Sequence, residues 1–244
     1  MHKQLLTSAA ALALSAGVAF ASDLPTHKAP PPPPPPVFSW TGFYIGGEIG
    51  YGWGEESDDL RAITGYPLDS FGVSGAIGGI KAGYNQQINA LVLGVEADIE
   101  ASGIQGSKGG TFTHEGTGVG SLSMHNTWQS SLRARAGVAF DRLLVYGTGG
   151  LAIADDRESF YVNDPFYSAP WAGSQTNTLY GWTIGAGIEY AIDNHWSLSG
   201  EVRYADFGKA SYSIPAGMSL SGTTTSYSAG FSETLAQVGV GYRF

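Results

Sequence analysis

The chain has 244 residues, a formal net charge of −9 and no cysteine. That acidic balance argues against nucleic acid as a partner, and a chain without thiols makes no disulfide. Glycine is frequent, with 36 residues, and apolar runs beyond residue 21 are short, so nothing past that point is a spanning helix.

Residues 1–21 have the pattern of a secretory signal peptide. Lys3 supplies the positive start, Leu5 to Phe20 the apolar stretch, and Ala19-Phe20-Ala21 the small-x-small cleavage pattern. Cleavage there predicts a mature chain that begins at Ser22 and, without Lys3, is one unit more acidic. Residues 22–39 form a proline-rich linker. Seven consecutive prolines at 30–36 make a stiff rod of about 3.1 Å per residue that cannot join a sheet. The linker is a spacer or a docking site for a partner.

From Trp40 onward the chain alternates apolar and polar residues with the period of a β-strand. Eight strands are expected, at roughly 42–53, 75–86, 90–101, 127–140, 143–154, 178–191, 195–207 and 235–244. In the third, Leu91, Leu93, Val95, Ala97 and Ile99 alternate with Val92, Gly94, Glu96, Asp98 and Glu100. The fifth is ambiguous because both faces are apolar or small; Leu143, Val145, Leu151 and Ile153 are assigned outward. In the last, Ala236, Val238, Val240, Tyr242 and Phe244 share a face and the chain stops on an aromatic. Termini fray unless tied down, and a barrel that closes its last strand onto its first ties this one.

The connections alternate in length. Those near 87–89, 141–142 and 192–194 are tight, whereas those at 54–74, 102–126, 155–177 and 208–231 run past twenty residues. Short turns on one side and long loops on the other are the pattern of an outer-membrane barrel. Aromatics fall at strand ends: Phe43, Tyr84, Phe140, Tyr190, Trp196, Tyr242 and Phe244 near the short turns, and Tyr51, Trp53, Trp128, Trp182 and Tyr204 near the long loops. Two such belts mark membrane interfaces. The expected fold is therefore all-β, an eight-stranded antiparallel up-and-down transmembrane β-barrel over residues 40–244. A soluble sandwich or lipocalin-like barrel is the competing fold, but the face opposite the apolar one is rich in glycine and charge and makes a poor core.

That opposite face would line the lumen. It carries the acids Glu48, Glu96, Asp98, Glu100, Glu189 and Glu201, and the bases Lys81, Arg133, Arg135, Arg203 and Arg243. Buried charges must be paired or solvated, and eight strands enclose a space that side chains fill. An ion-paired, plugged lumen is expected, not a wide channel.

The run Phe38-Ser39-Trp40-Thr41-Gly42-Phe43-Tyr44-Ile45-Gly46-Gly47 resembles the barrel start of a family of small alphaproteobacterial outer-membrane proteins. That family includes the Brucella major surface proteins, the rhizobial RopB type and the Bartonella hemin-binding proteins. Gly83-Tyr84-Asn85, Leu93 to Ile99, Arg133 to Gly137, Tyr146 to Ala152 and Gly185 to Glu189 match in the same order. Tyr242 and Phe244 resemble the signal read by the barrel assembly machinery. The resemblance implies an outer-membrane location, a role in envelope integrity and surface contact, and, in some members, hemin binding. The seven-proline run is longer than the family implies.

Four functions compete. The leading one is a structural surface barrel whose partners are outer-membrane lipid, lipopolysaccharide, and a host or envelope ligand met through the loops. Its acidic loops, with Glu55, Glu56, Asp58, Asp59 and Asp69 in the first and Asp155, Asp156, Glu158 and Asp164 in the third, serve solubility or hold divalent cations. Hemin binding or adhesion is the second, with His114, Met124, His125 and Tyr167 as candidate residues; uncommitted loop residues are the plainer explanation. No resident metal or other cofactor is expected. Catalysis is third and is not expected: His195 and Ser197 lie two apart, hence on one strand face, but on the periplasmic side, away from outer-leaflet lipid. A narrow porin is the fourth.

Overall fold

A computed structural model describes residues 38–58, 70–113, 117–163, 170–214 and 225–244. The expected signal peptide and most of the linker lie outside the described residues. Ten strand segments follow one another: β1 (Gly42–Asp58), β2 (Phe71–Ile88), β3 (Leu91–Ser102), β4 (Gln105–Thr113), β5 (Thr117–His125), β6 (Trp128–Phe140), β7 (Leu143–Asn163), β8 (Trp171–Ala191), β9 (Trp196–Ile214) and β10 (Thr225–Arg243). All pairings are antiparallel, and β1 pairs with both β2 and β10, so the sheet closes on itself.

The ten segments occupy eight positions in the wall. In the lower ring β2 pairs with β3, β3 with β6 and β6 with β7. Above it β2 meets β4 at Ser74–Gln105, β4 pairs with β5 and β5 with β7. β3 and β4 are thus two halves of one interrupted wall strand, as are β5 and β6. Asp155 holds the second interruption. Its carboxylate accepts from the amides of Thr127 (2.8 Å) and Trp128 (2.9 Å) and from the Thr127 hydroxyl (2.5 Å). Two of the short turns carry a residue at positive φ, Asn89 (57°) and Asp141 (54°), types that tolerate the left-handed region.

The four long connections are not the loops the sequence suggests, because strand structure runs deep into each. The reason is an inversion of the in–out chemistry. In the lower barrel apolar side chains face out: Ile49 is 68% exposed and Leu151 67%. Above the outer aromatics the apolar side chains face in. Phe71, Val73, Ile104, Leu122, Met124, Leu179, Phe207, Tyr212, Tyr227 and Phe231 form one buried cluster there. Outward at this level stand Ser107, Ser174, Thr176, Ser211 and Ser213, with Val119 and Tyr161 among them, so most of this outer face is polar, as on a sheet with one solvated side.

Candidate functional site

The lower lumen places every charged residue expected there in a buried position. Arg133 on β6 is the hub. Its Nη2 lies 2.6 Å from Glu96 and 3.1 Å from Asp98, while Nη1 pairs with Glu201. Arg203 pairs with Glu100 (2.5 Å) and Asp98 (3.4 Å), and Lys81 with Glu48 (3.0 Å). Arg135 pairs with Glu189 and stacks 3.7 Å above the Tyr146 ring. Arg243 reaches Glu189 at 3.9 Å.

Neutral groups complete the set. Tyr44 donates to Glu96 (2.7 Å), Tyr146 to Glu201 (3.0 Å), Ser197 to Glu189 (2.6 Å), and Gln129 (3.0 Å) and Gln237 to Glu100. Sequence reading missed the part of Tyr146, Gln129 and Gln237 in this network. Strand parity was the available signal, since Gln129 shares the face of Arg133 and Arg135. Glycine supplies room: a Cβ on Gly83 would sit 2.5 Å from the Tyr44 hydroxyl, and one on Gly187 2.6 Å from the Tyr146 ring.

The periplasmic mouth is capped by the residues just before β1. Trp40 is fully buried; its amide donates to Gln87 (2.7 Å) and its indole N–H to the Asp141 carbonyl (3.0 Å). Phe38 packs edge-on against it, and Arg243 lies over both rings. Tyr242 stands between His195 and Trp196 on the outside, and the Phe244 amide bonds to the Phe43 carbonyl (3.0 Å), tying down the last residue.

Acids assigned by sequence to surface loops are in part interior. Glu56, Asp156 and Glu158 are buried, with one oxygen of each within 4.8 Å of the others. Tyr212 donates to Asp156 and Tyr227 to Glu158. Burial pushes the Asp156 carboxyl up to about 6, against the opposing pull of the Tyr212 hydroxyl. A hard divalent cation is the ion such a donor set suits. Glu55 and Arg157 do face outward, while Asp59, Asp69 and Asp164 lie outside the described residues.

Of the four hemin candidates, Met124 and His125 are among the described residues. Met124 and His125 are neighbours on a strand and so point opposite ways. Met124 is packed in the upper core, while His125 lines an outer groove of about 550 Å³ with Gln105, Ser107, Ser123, Arg157 and Ser159. His114 and Tyr167 lie outside the described residues. His195 and Ser197 also diverge. His195 sits in the turn before β9 and stacks on Tyr242, whereas Ser197 is buried and donates inward to Glu189.

A closed antiparallel cylinder with an apolar outer band, aromatic belts and an ionised, packed interior defines an outer-membrane-type β-barrel. The model of the outer membrane protein beta-barrel domain family matches residues 6–244. The chain belongs to that family and is an outer-membrane protein. It is 37% identical to the 31 kDa outer-membrane immunogenic protein of Brucella melitensis biotype 1, over 86% of this chain and 88% of that one. Identity is 32% to the 22 kDa outer membrane protein of Rhizobium leguminosarum bv. viciae, over 84% and 79% of the two chains. It is 29% to the 25 kDa outer-membrane immunogenic protein of Brucella abortus biovar 1, over 99% and 98%. Among solved structures, the outer membrane protein OprG from Pseudomonas aeruginosa shares the fold, with TM-score 0.51 and 15% identity over 85% of this chain and 98% of that one.

Proposed function

We propose that this protein is a sealed surface barrel that reinforces the outer membrane and presents a stiff, water-facing sheet to the medium. The observation that carries this reading is the filled lumen. Among the described residues every lumen acid named above touches a cation. An apolar core overlies the ionic layer and the Trp40 cap underlies it. A solute would have to displace all three.

What remains for the molecule is mechanical and adhesive. The outer band anchors in lipid, the charged layer stiffens the cylinder, and the strands projecting beyond the membrane offer a contact surface. Hemin binding draws less support, because Met124 faces the core. The test is a deletion strain complemented with wild type. Detergent sensitivity should rise on deletion and return to normal on complementation, with sugar uptake unchanged. Normal detergent resistance with slowed sugar uptake would contradict the proposal and favour a porin.

A further inference from the structure

Above the rung Trp182–Asp206 the ladder between β8 and β9 ends. Among the described residues β8 continues to Trp171 paired only with β7, and β9 continues to Ile214 paired only with β10. The neighbouring walls stay laddered at that height, so among the described residues two facing strand edges flank a slit. Gly208 helps open it. Its φ of +68° belongs to the left-handed region that favours glycine, its amide donates to the Asp206 side chain (2.9 Å), and the β9–β10 register shifts beside it at Gly230/Ser232.

Side-chain amides bridge the slit where a strand would. Gln175 Nε2 donates to the Ser213 carbonyl (2.6 Å), and the Ser213 amide donates back to Gln175 Oε1 (3.1 Å). Asn177 Nδ2 donates to the Ser211 carbonyl (3.5 Å). A carboxamide offers the same donor and acceptor as a peptide group. Strands in a ladder lie about 4.8 Å apart, too close to interpose such a side chain, so the gap is wider than a paired one. Behind it lie Leu179, Phe207 and Tyr212, all buried; in front, Ser174, Thr176, Ser211 and Ser213 are exposed.

We propose that this slit is a strand-addition site for an extended segment of a partner polypeptide. The segment displaces the Gln175 and Asn177 amides and pairs with both edges. It turns alternate apolar side chains onto Phe207 and Tyr212 and polar ones to water. The groups that these edges present to the slit, held by the two side-chain amides, are backbone N–H and C=O, so the chemistry selected is that of a peptide. The inference rests on the proposed outward orientation of the long strands.

Amide exchange of the full-length barrel in lipid nanodiscs tests it, with a short synthetic peptide of alternating valine and threonine as the probe. Without peptide, the Ser211 amide should exchange at least about tenfold faster than ladder amides of β9 such as Val202. Peptide should slow Ser211 and Ser213, and Gln175→Ala should tighten binding by removing the competing amide. Since the chain has no cysteine, a Thr176→Cys/Ser213→Cys variant, with both thiols on the exposed outer face, joined by a bifunctional thiol crosslinker closes the slit and should abolish the protection. No protection in wild type and Gln175→Ala alike would overturn the proposal. So would protection that survives the closed slit, or slow exchange that grows with protein concentration alone. Heat-modifiable gel mobility reports barrel folding separately, so failure here and failure of the barrel assignment are distinguishable.

Discussion

The Arg243 guanidinium lies 4.4 Å from the centre of the Trp40 ring, joining the last strand to a residue just ahead of the first. The same indole donates to Asp141 in the turn between β6 and β7. Trp40 thus ties three points of the periplasmic rim together. Trp40→Ala should lower stability to urea by about 3–5 kcal/mol, the usual cost of emptying a buried tryptophan site. The shift of the urea midpoint in a folding gel measures it, and Trp40→Phe should lose less.

Removal of Arg133 would leave Glu96, Asp98 and Glu201 short of their shared cation. Breaking a buried ion pair from one side costs about 3–5 kcal/mol. Arg133→Met should therefore be strongly destabilising, and adding Glu96→Gln and Glu201→Gln should recover part of the loss. A thermal-shift series in detergent reads both steps.

The lipid band can be located by charge. Val202 faces outward midway along the lower part of β9 and is 56% exposed. Val202→Arg should cost about 2–4 kcal/mol, as arginine does near the bilayer midplane. Thr176→Arg, on the outer face of β8 above the Trp182 belt, should cost almost nothing. Equal costs, measured by reversible urea unfolding in lipid vesicles, would contradict the placement of the band.

Asp156 gives the outer sheet a pH dependence. Burial raises its carboxyl from 3.8 to about 6. With the folded value above the unfolded one, the contribution is fully present below pH 3.8 and is lost as pH rises through 6. Amides of the upper β7 and β9 strands should open less readily at pH 4 than at pH 7, after correction for intrinsic exchange rates. Asp156→Asn should remove that part of the difference.

The lower barrel was legible because two strong signals coincide there. Alternation of Leu91 to Ile99 sets the faces, and parity puts the arginines and acids inward; the particular pairing of Arg133 opposite Glu96 comes from the β3–β6 register, which the long connection between them does not encode. The outer sheet was hidden for a physical reason. Strand β8 opens Trp171-Ala172-Gly173-Ser174-Gln175-Thr176-Asn177-Thr178, a run with almost no apolar alternation, and its order comes from pairing with β7. Leu122 and Met124, two apart on β5, were the available hint of an inward apolar row. The burial of Glu56, Asp156 and Glu158 could not be read locally, because acids in a polar stretch look solvated. The slit between β8 and β9 depends on where pairing stops, which no single segment encodes.

Planar-bilayer conductance of the folded, full-length protein decides whether the lumen is sealed. A sealed lumen leaves the bilayer silent, with stable current appearing only when the ionic layer and the apolar core above it are both opened by substitution. Steady, sugar-permeable conductance from the wild type would contradict it.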